Sequence, residues 1–79
     1  MRRRPWISIE IEPDSRVAWV SGQNVRPLIE RAGGRPLWSA TRRAWNTSSE
    51  VGRDLLAVAE HAGYAVVFSA GGEDFDDAA

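Results

Sequence analysis

Residues 33–48, GGRPLWSATRRAWNTS, carry most of the side chains in this chain that are suited to chemistry. Trp38 and Trp45 stand seven positions apart, with Arg42 and Arg43 between them and Arg35 just ahead. Guanidinium groups neutralise phosphates, and an exposed indole stacks on an unpaired base for about 1–3 kcal/mol whatever the base. Arg2, Arg3 and Arg4 open the chain with a second basic cluster. A nucleic-acid contact built from these parts would use Arg2, Arg3, Arg4, Arg35, Arg42, Arg43 and Trp38. The same stretch also has a purely structural use. Two indoles on one face of a hairpin bury a large area in a small domain, and arginines at its tip keep the turn in water. The reading adopted is a core hairpin whose arginines still offer a basic edge.

Catalysis finds little to work with. The one histidine, His61, falls near the end of a helical pattern, where a cation meets the negative end of the helix dipole. No cysteine and no second histidine accompany it, so neither a thiolate nor a paired-imidazole site is expected. Gly33 and Gly34 follow a helical pattern and do not precede one, which is the wrong order for a phosphate loop. Glu73, Asp74, Asp76 and Asp77 lack the spacing of a calcium loop. The expectation is a non-enzymatic protein without metal or cofactor.

Something has to hold these side chains in place, and hydrophobic periodicity indicates what. WISIEIEP alternates, with Ile7, Ile9 and Ile11 on one side and Ser8, Glu10 and Glu12 on the other, which is a half-buried strand. Pro13, Asp14 and Ser15 supply turn chemistry, and Val17, Trp19 and Val20 resume as a second strand. NVRPLIERAGG predicts a short helix with Asn24 as N-cap, Pro27 in the first turn and Gly33 at the left-handed position that ends it. Its apolar face is Val25, Leu28, Ile29 and Ala32.

RPLWSATRRAWNT predicts a second hairpin. Setting Trp38 opposite Trp45 pairs Ser39 with Ala44, puts both indoles on one face and sends Leu37 and Ala44 to the other. Thr41 and Arg42 suit a two-residue primed turn poorly, so a four-residue loop is expected. TSSEVGRDLLAVAEHAG predicts a longer helix, with Thr47 and Glu50 at capping-box spacing and an apolar face of Val51, Leu55, Val58, Ala59 and Ala62. YAVVFS is a last strand, and residues 71–79 read as a disordered acidic tail. The expected architecture is a single α+β domain over residues 1–70: a two-layer sandwich of order β-β-α-β-β-α-β, with both helices on one face of a mixed sheet.

The stretch from Val25 to Val67 resembles the HARP-type module associated with phage and bacterial DNA-processing helicases. In that module a helix ends at a glycine pair, followed by a tryptophan, a charged turn, an Ala-Trp pair and a second helix. Gly33, Gly34, Trp38, Arg42, Arg43, Ala44 and Trp45 take those places here. The resemblance implies DNA association through a basic hairpin edge, in replication, repair or phage biology. It implies no chemistry.

Charge and composition set the bounds on this reading. At 79 residues the chain holds one thin core, which must rest on apolar packing because there is no cysteine. All ten basic residues are arginine, as codon usage in a GC-rich bacterial or phage genome would produce. The net charge of −1 conceals an asymmetry, since four of the eleven acids lie in the tail and the rest of the chain is near +3. That is mildly basic, far from a dense nucleic-acid patch. Glu10 and Glu12 break up any export signal after the opening arginines, and no apolar run reaches membrane length, so a cytoplasmic protein is expected. The functional expectation is a small module on single-stranded or forked DNA. The alternative is an adaptor, or a phage-encoded modulator of a host protein, that binds through a sheet edge or apolar patch.

Overall fold

Strict alternation in the first two strands decides which side of the sheet is buried. β1 (Trp6–Ile11) and β2 (Val17–Gly22) form an antiparallel hairpin that matches Ile9 with Val20 and Ile11 with Ala18. These residues and Ile7 are buried, while Trp6, Glu10 and Trp19 point to the opposite face. The structure is a computed structural model that describes residues 4–70 and 73–74. Its remaining elements are α1 (Arg26–Arg31), β3 (Leu37–Ser39), β4 (Ala44–Ser48), α2 (Ser49–His61), β5 (Ala65–Ala70) and a two-residue β6 (Glu73–Asp74).

The strands lie in the order β3-β4-β2-β1-β5-β6. β1 and β5 pair in parallel at the centre and the other neighbours are antiparallel, so the sheet is mixed and open. Both helices pack on one face. Leu28 and Ile29 of α1 and Leu55 and Ala59 of α2 share a single core with Ile7, Ile9 and Val20. The chain therefore has the expected α+β order and layering. Leu55 is fully buried, so it sets the depth of the core beneath α2.

Several local expectations need correction. The N-cap of α1 is Val25 and not Asn24, and it makes no side-chain capping bond. Asn24 instead takes a left-handed φ of 50°, and the Tyr64 hydroxyl donates to its carbonyl at 3.2 Å and to that of Gln23 at 2.8 Å. The N-cap of α2 is Ser48 and not Thr47, with Ser48 Oγ accepting from the Val51 N–H at 3.1 Å. The reason is that β4 runs directly into α2 with no loop, which leaves Thr47 paired with Ala18 inside the sheet. Ala62 lies beyond the buried face of α2 and is exposed. Glu73 and Asp74, expected in a disordered tail, pair with Ala70 and Ser69 as β6. The rest of that expectation, residues 71–72 and 75–79, lies outside the described residues.

Two glycines bring the layers together. A Cβ on Gly52 of α2 would stand 2.6 Å from the Ala18 Cβ, so this glycine lets the helix settle directly on β2. A Cβ on Gly34 would stand 2.6 Å from Thr47 Oγ1 and 2.7 Å from Val51 Cγ1, so this glycine brings the chain leaving α1 close over the junction of β4 and α2.

Candidate nucleic-acid interface

The β3–β4 hairpin has the expected register. Trp38 stands opposite Trp45 and Ser39 opposite Ala44, joined by a four-residue turn at 40–43. The indoles meet edge to face, with centroids 5.1 Å apart and planes at 65°. They do not share one environment, however. Trp45 packs against the core, and the Arg26 guanidinium lies 5.8 Å from its ring centre. Trp38, on the edge strand, is 54% exposed. The expectation of a hairpin with both indoles in the core thus holds for Trp45 and fails for Trp38, because β3 has no outer neighbour to cover it.

The arginines expected to act together are separated by the fold. Arg42 turns onto the helix-free face, where its Nη2 lies 3.7 Å from Glu10 and its Nη1 3.5 Å from Glu12. Its charge is already met by two carboxylates. Arg43 is exposed in the same turn, at φ 52°. Arg4 donates from Nε and Nη2 to the carbonyls of Gly63 and Tyr64, both at 3.3 Å, just past the C-terminus of α2. Arg2 and Arg3 lie outside the described residues.

Arg35 has different neighbours from those its place in the sequence indicated. It lines an open cleft of about 370 Å³ with Arg16, Gly34, Thr47, Ser48 and Val51. An adjoining cleft of about 400 Å³ shares Arg16 and Ser48 and adds Ser49, Glu50 and Arg53. Arg16, Arg35 and Arg53 therefore gather around the N-terminus of α2, the positive end of that helix dipole. Glu50, in the first turn, is the one acid lining either cleft. Sequence reasoning missed Arg16 and Arg53, since the three arginines meet only once β2 lies beside β4 and β4 passes into α2. Arg4 is set apart by the length of α2, whose 13 residues span about 20 Å.

A cleft of about 420 Å³ at that other end, lined by Arg4, Trp6, Gln23, Asn24 and Tyr64, is a weaker candidate. Its polar groups serve the fold: Gln23 Oε1 accepts from the Trp6 N–H, Tyr64 bonds the 23–24 backbone, and Arg4 caps the α2 turn. Trp6, Val17, Leu37 and Val67 are exposed on the helix-free face of the sheet. Among the described residues no cluster of His, Cys, Asp and Glu could hold a metal ion, and no helix is long and apolar enough to cross a membrane.

The chain matches no family model, and comparison with curated proteins and with solved structures finds no match. The likeness to HARP-type modules therefore rests on the spacing of Gly33, Gly34, Trp38 and Trp45 alone.

Proposed function

We propose that this protein is a small non-enzymatic module that associates with nucleic acid, single-stranded or forked DNA in particular, in a bacterial or phage cytoplasm. The observation that carries the reading is the grouping of Arg16, Arg35 and Arg53 around the N-terminus of α2. Three guanidinium groups beside the positive end of a helix form a surface suited to a phosphate backbone. Trp38 adds a half-exposed indole on the edge strand next to β4, available for stacking. The HARP-like spacing supports the same assignment. Arg42 is better read as part of the scaffold, since Glu10 and Glu12 occupy it.

The test is a salt titration of binding to labelled single-stranded, duplex and forked DNA. The wild type should bind at low salt and weaken steeply as salt rises. Replacing Arg16, Arg35 and Arg53 together with Gln should flatten the log–log slope by about 0.7 per lost contact on a single strand. A protein that binds none of these DNA forms at low salt is not a nucleic-acid module. One observation favours the competing adaptor reading: the exposed Trp6, Val17, Leu37 and Val67 on the helix-free face, with Glu10 and Glu12 beside them. Under that reading, substitutions on this face, and not at the arginines, would abolish function.

A further inference from the structure

We propose that the open cleft lined by Arg16, Arg35 and Thr47 is a phosphate-binding subsite, with the Thr47 hydroxyl as its innermost donor. Thr47 is only 7% exposed, yet no hydrogen bond among the described residues takes up its side chain. No described side-chain oxygen or nitrogen is both sealed from solvent and unpartnered. The Thr47 hydroxyl is therefore unpartnered but not sealed, and it opens onto the cleft it lines. A hydroxyl that reaches the cleft with no protein partner keeps its donor and acceptor capacity for whatever enters there.

The surroundings select an anion. Arg16 and Arg35 line the same cleft, and α2 begins at its wall. Gly34 leaves room for the hydroxyl, because a Cβ there would stand 2.6 Å from Thr47 Oγ1. Arginine charge and a largely buried hydroxyl donor together suit a tetrahedral oxyanion. Glu50 lines the adjoining cleft and not this one, so its carboxylate does not fill the place of the ligand. The assignment rests on the nucleic-acid reading for the source of the phosphate, either an internal phosphodiester or a terminal monoester.

The experiment is a titration of the ¹⁵N-labelled full chain with inorganic phosphate, against chloride at matched ionic strength. The amides of Gly34 and Arg35 should shift saturably with phosphate alone. Thr47→Val, which keeps the shape and removes the hydroxyl, should weaken phosphate about five- to tenfold while leaving the melting temperature unchanged or raised. Thr47→Ser should restore binding. A wild type without phosphate-specific shifts, or a Thr47→Val protein that titrates like wild type, overturns the subsite. Oligo(dT) with and without a 5′-phosphate then separates the sources. Equal shifts identify a backbone phosphodiester, and larger shifts with the 5′-phosphate identify a terminal group. DNA binding that does not respond to Thr47→Val removes the subsite and keeps the nucleic-acid reading. Cleft shifts with phosphate but with no DNA form keep the subsite and remove that reading.

Discussion

The guanidinium carbon of Arg42 sits 4.1 Å from the ring centre of Trp19, on the face of the sheet away from the helices. Glu10 stands beside Trp19 in the β1–β2 register, so one arginine from the hairpin turn spans an indole and two carboxylates of the first hairpin. This clamp ties the β3–β4 turn back onto the sheet. Its parts are modest, because an exposed cation–π contact is worth about 0.5–1 kcal/mol and surface ion pairs about 0–1. Arg42→Ala should therefore lower the unfolding free energy by about 1 kcal/mol in urea denaturation and leave the salt slope of any DNA binding nearly unchanged. A full unit lost from that slope would return Arg42 to the phosphate contacts.

Arg43 follows it in the turn at φ 52°, a left-handed conformation that disfavours any residue with a Cβ. Arg43→Gly removes that strain but gives the unfolded chain more freedom, so the net change should lie between zero and about 1 kcal/mol of added stability. Thermal melts would read it. A fall in melting temperature would mean that the Arg43 side chain makes a stabilising contact.

Leu55 is fully buried in the core shared by both helices and the sheet. Leu55→Ala should cost about 2–5 kcal/mol, a large fraction of the stability of so small a domain. A loss below half of that lower figure would show that the site collapses around the cavity.

Gly52 is the fourth residue of α2, inside the helix, where alanine normally adds about 1 kcal/mol of helix stability. Here the added methyl meets the Ala18 Cβ, and overpacking costs typically 1–3 kcal/mol. Gly52→Ala should destabilise on balance. Combining it with Ala18→Gly should recover part of the loss in a double-mutant cycle, and additive effects would argue against direct contact.

Ser48 caps α2 through its bond to the Val51 N–H. Ser48→Ala should cost about 1 kcal/mol and speed amide exchange in the first turn of α2. Unchanged exchange there would mean that another group takes over the cap.

Much of this fold is legible in local pattern. The alternation of Ile7, Ile9 and Ile11, the pairing of Trp38 with Trp45 and the apolar face around Leu55 all follow from period and spacing within one element or hairpin. Cap positions moved by one residue at Asn24 and at Thr47. In each case the alternative side chain was adjacent and chemically similar or the backbone was held from afar, as Tyr64 holds the 23–24 carbonyls. The site was far less legible. Arg42 meets its carboxylates, and Arg35, Arg16 and Arg53 come to line two adjoining clefts, only through strand neighbours that no local period encodes.

The central parallel pair has a consequence for biosynthesis. Trp6 aligns with Ala65, so the first strand gains its partner on that side only after nearly all the intervening chain has been made. During translation the β1–β2 hairpin emerges before α2 and β5, with one edge of β1 unpaired and Ile7 and Ile9 uncovered by α2. Closing so long a loop is slow compared with forming hairpins and helices. The nascent chain thus passes through an interval in which β1 is open to strands of other copies on the same message. Completion of β5 ends that interval, which makes β5 the element that commits each molecule to its own fold.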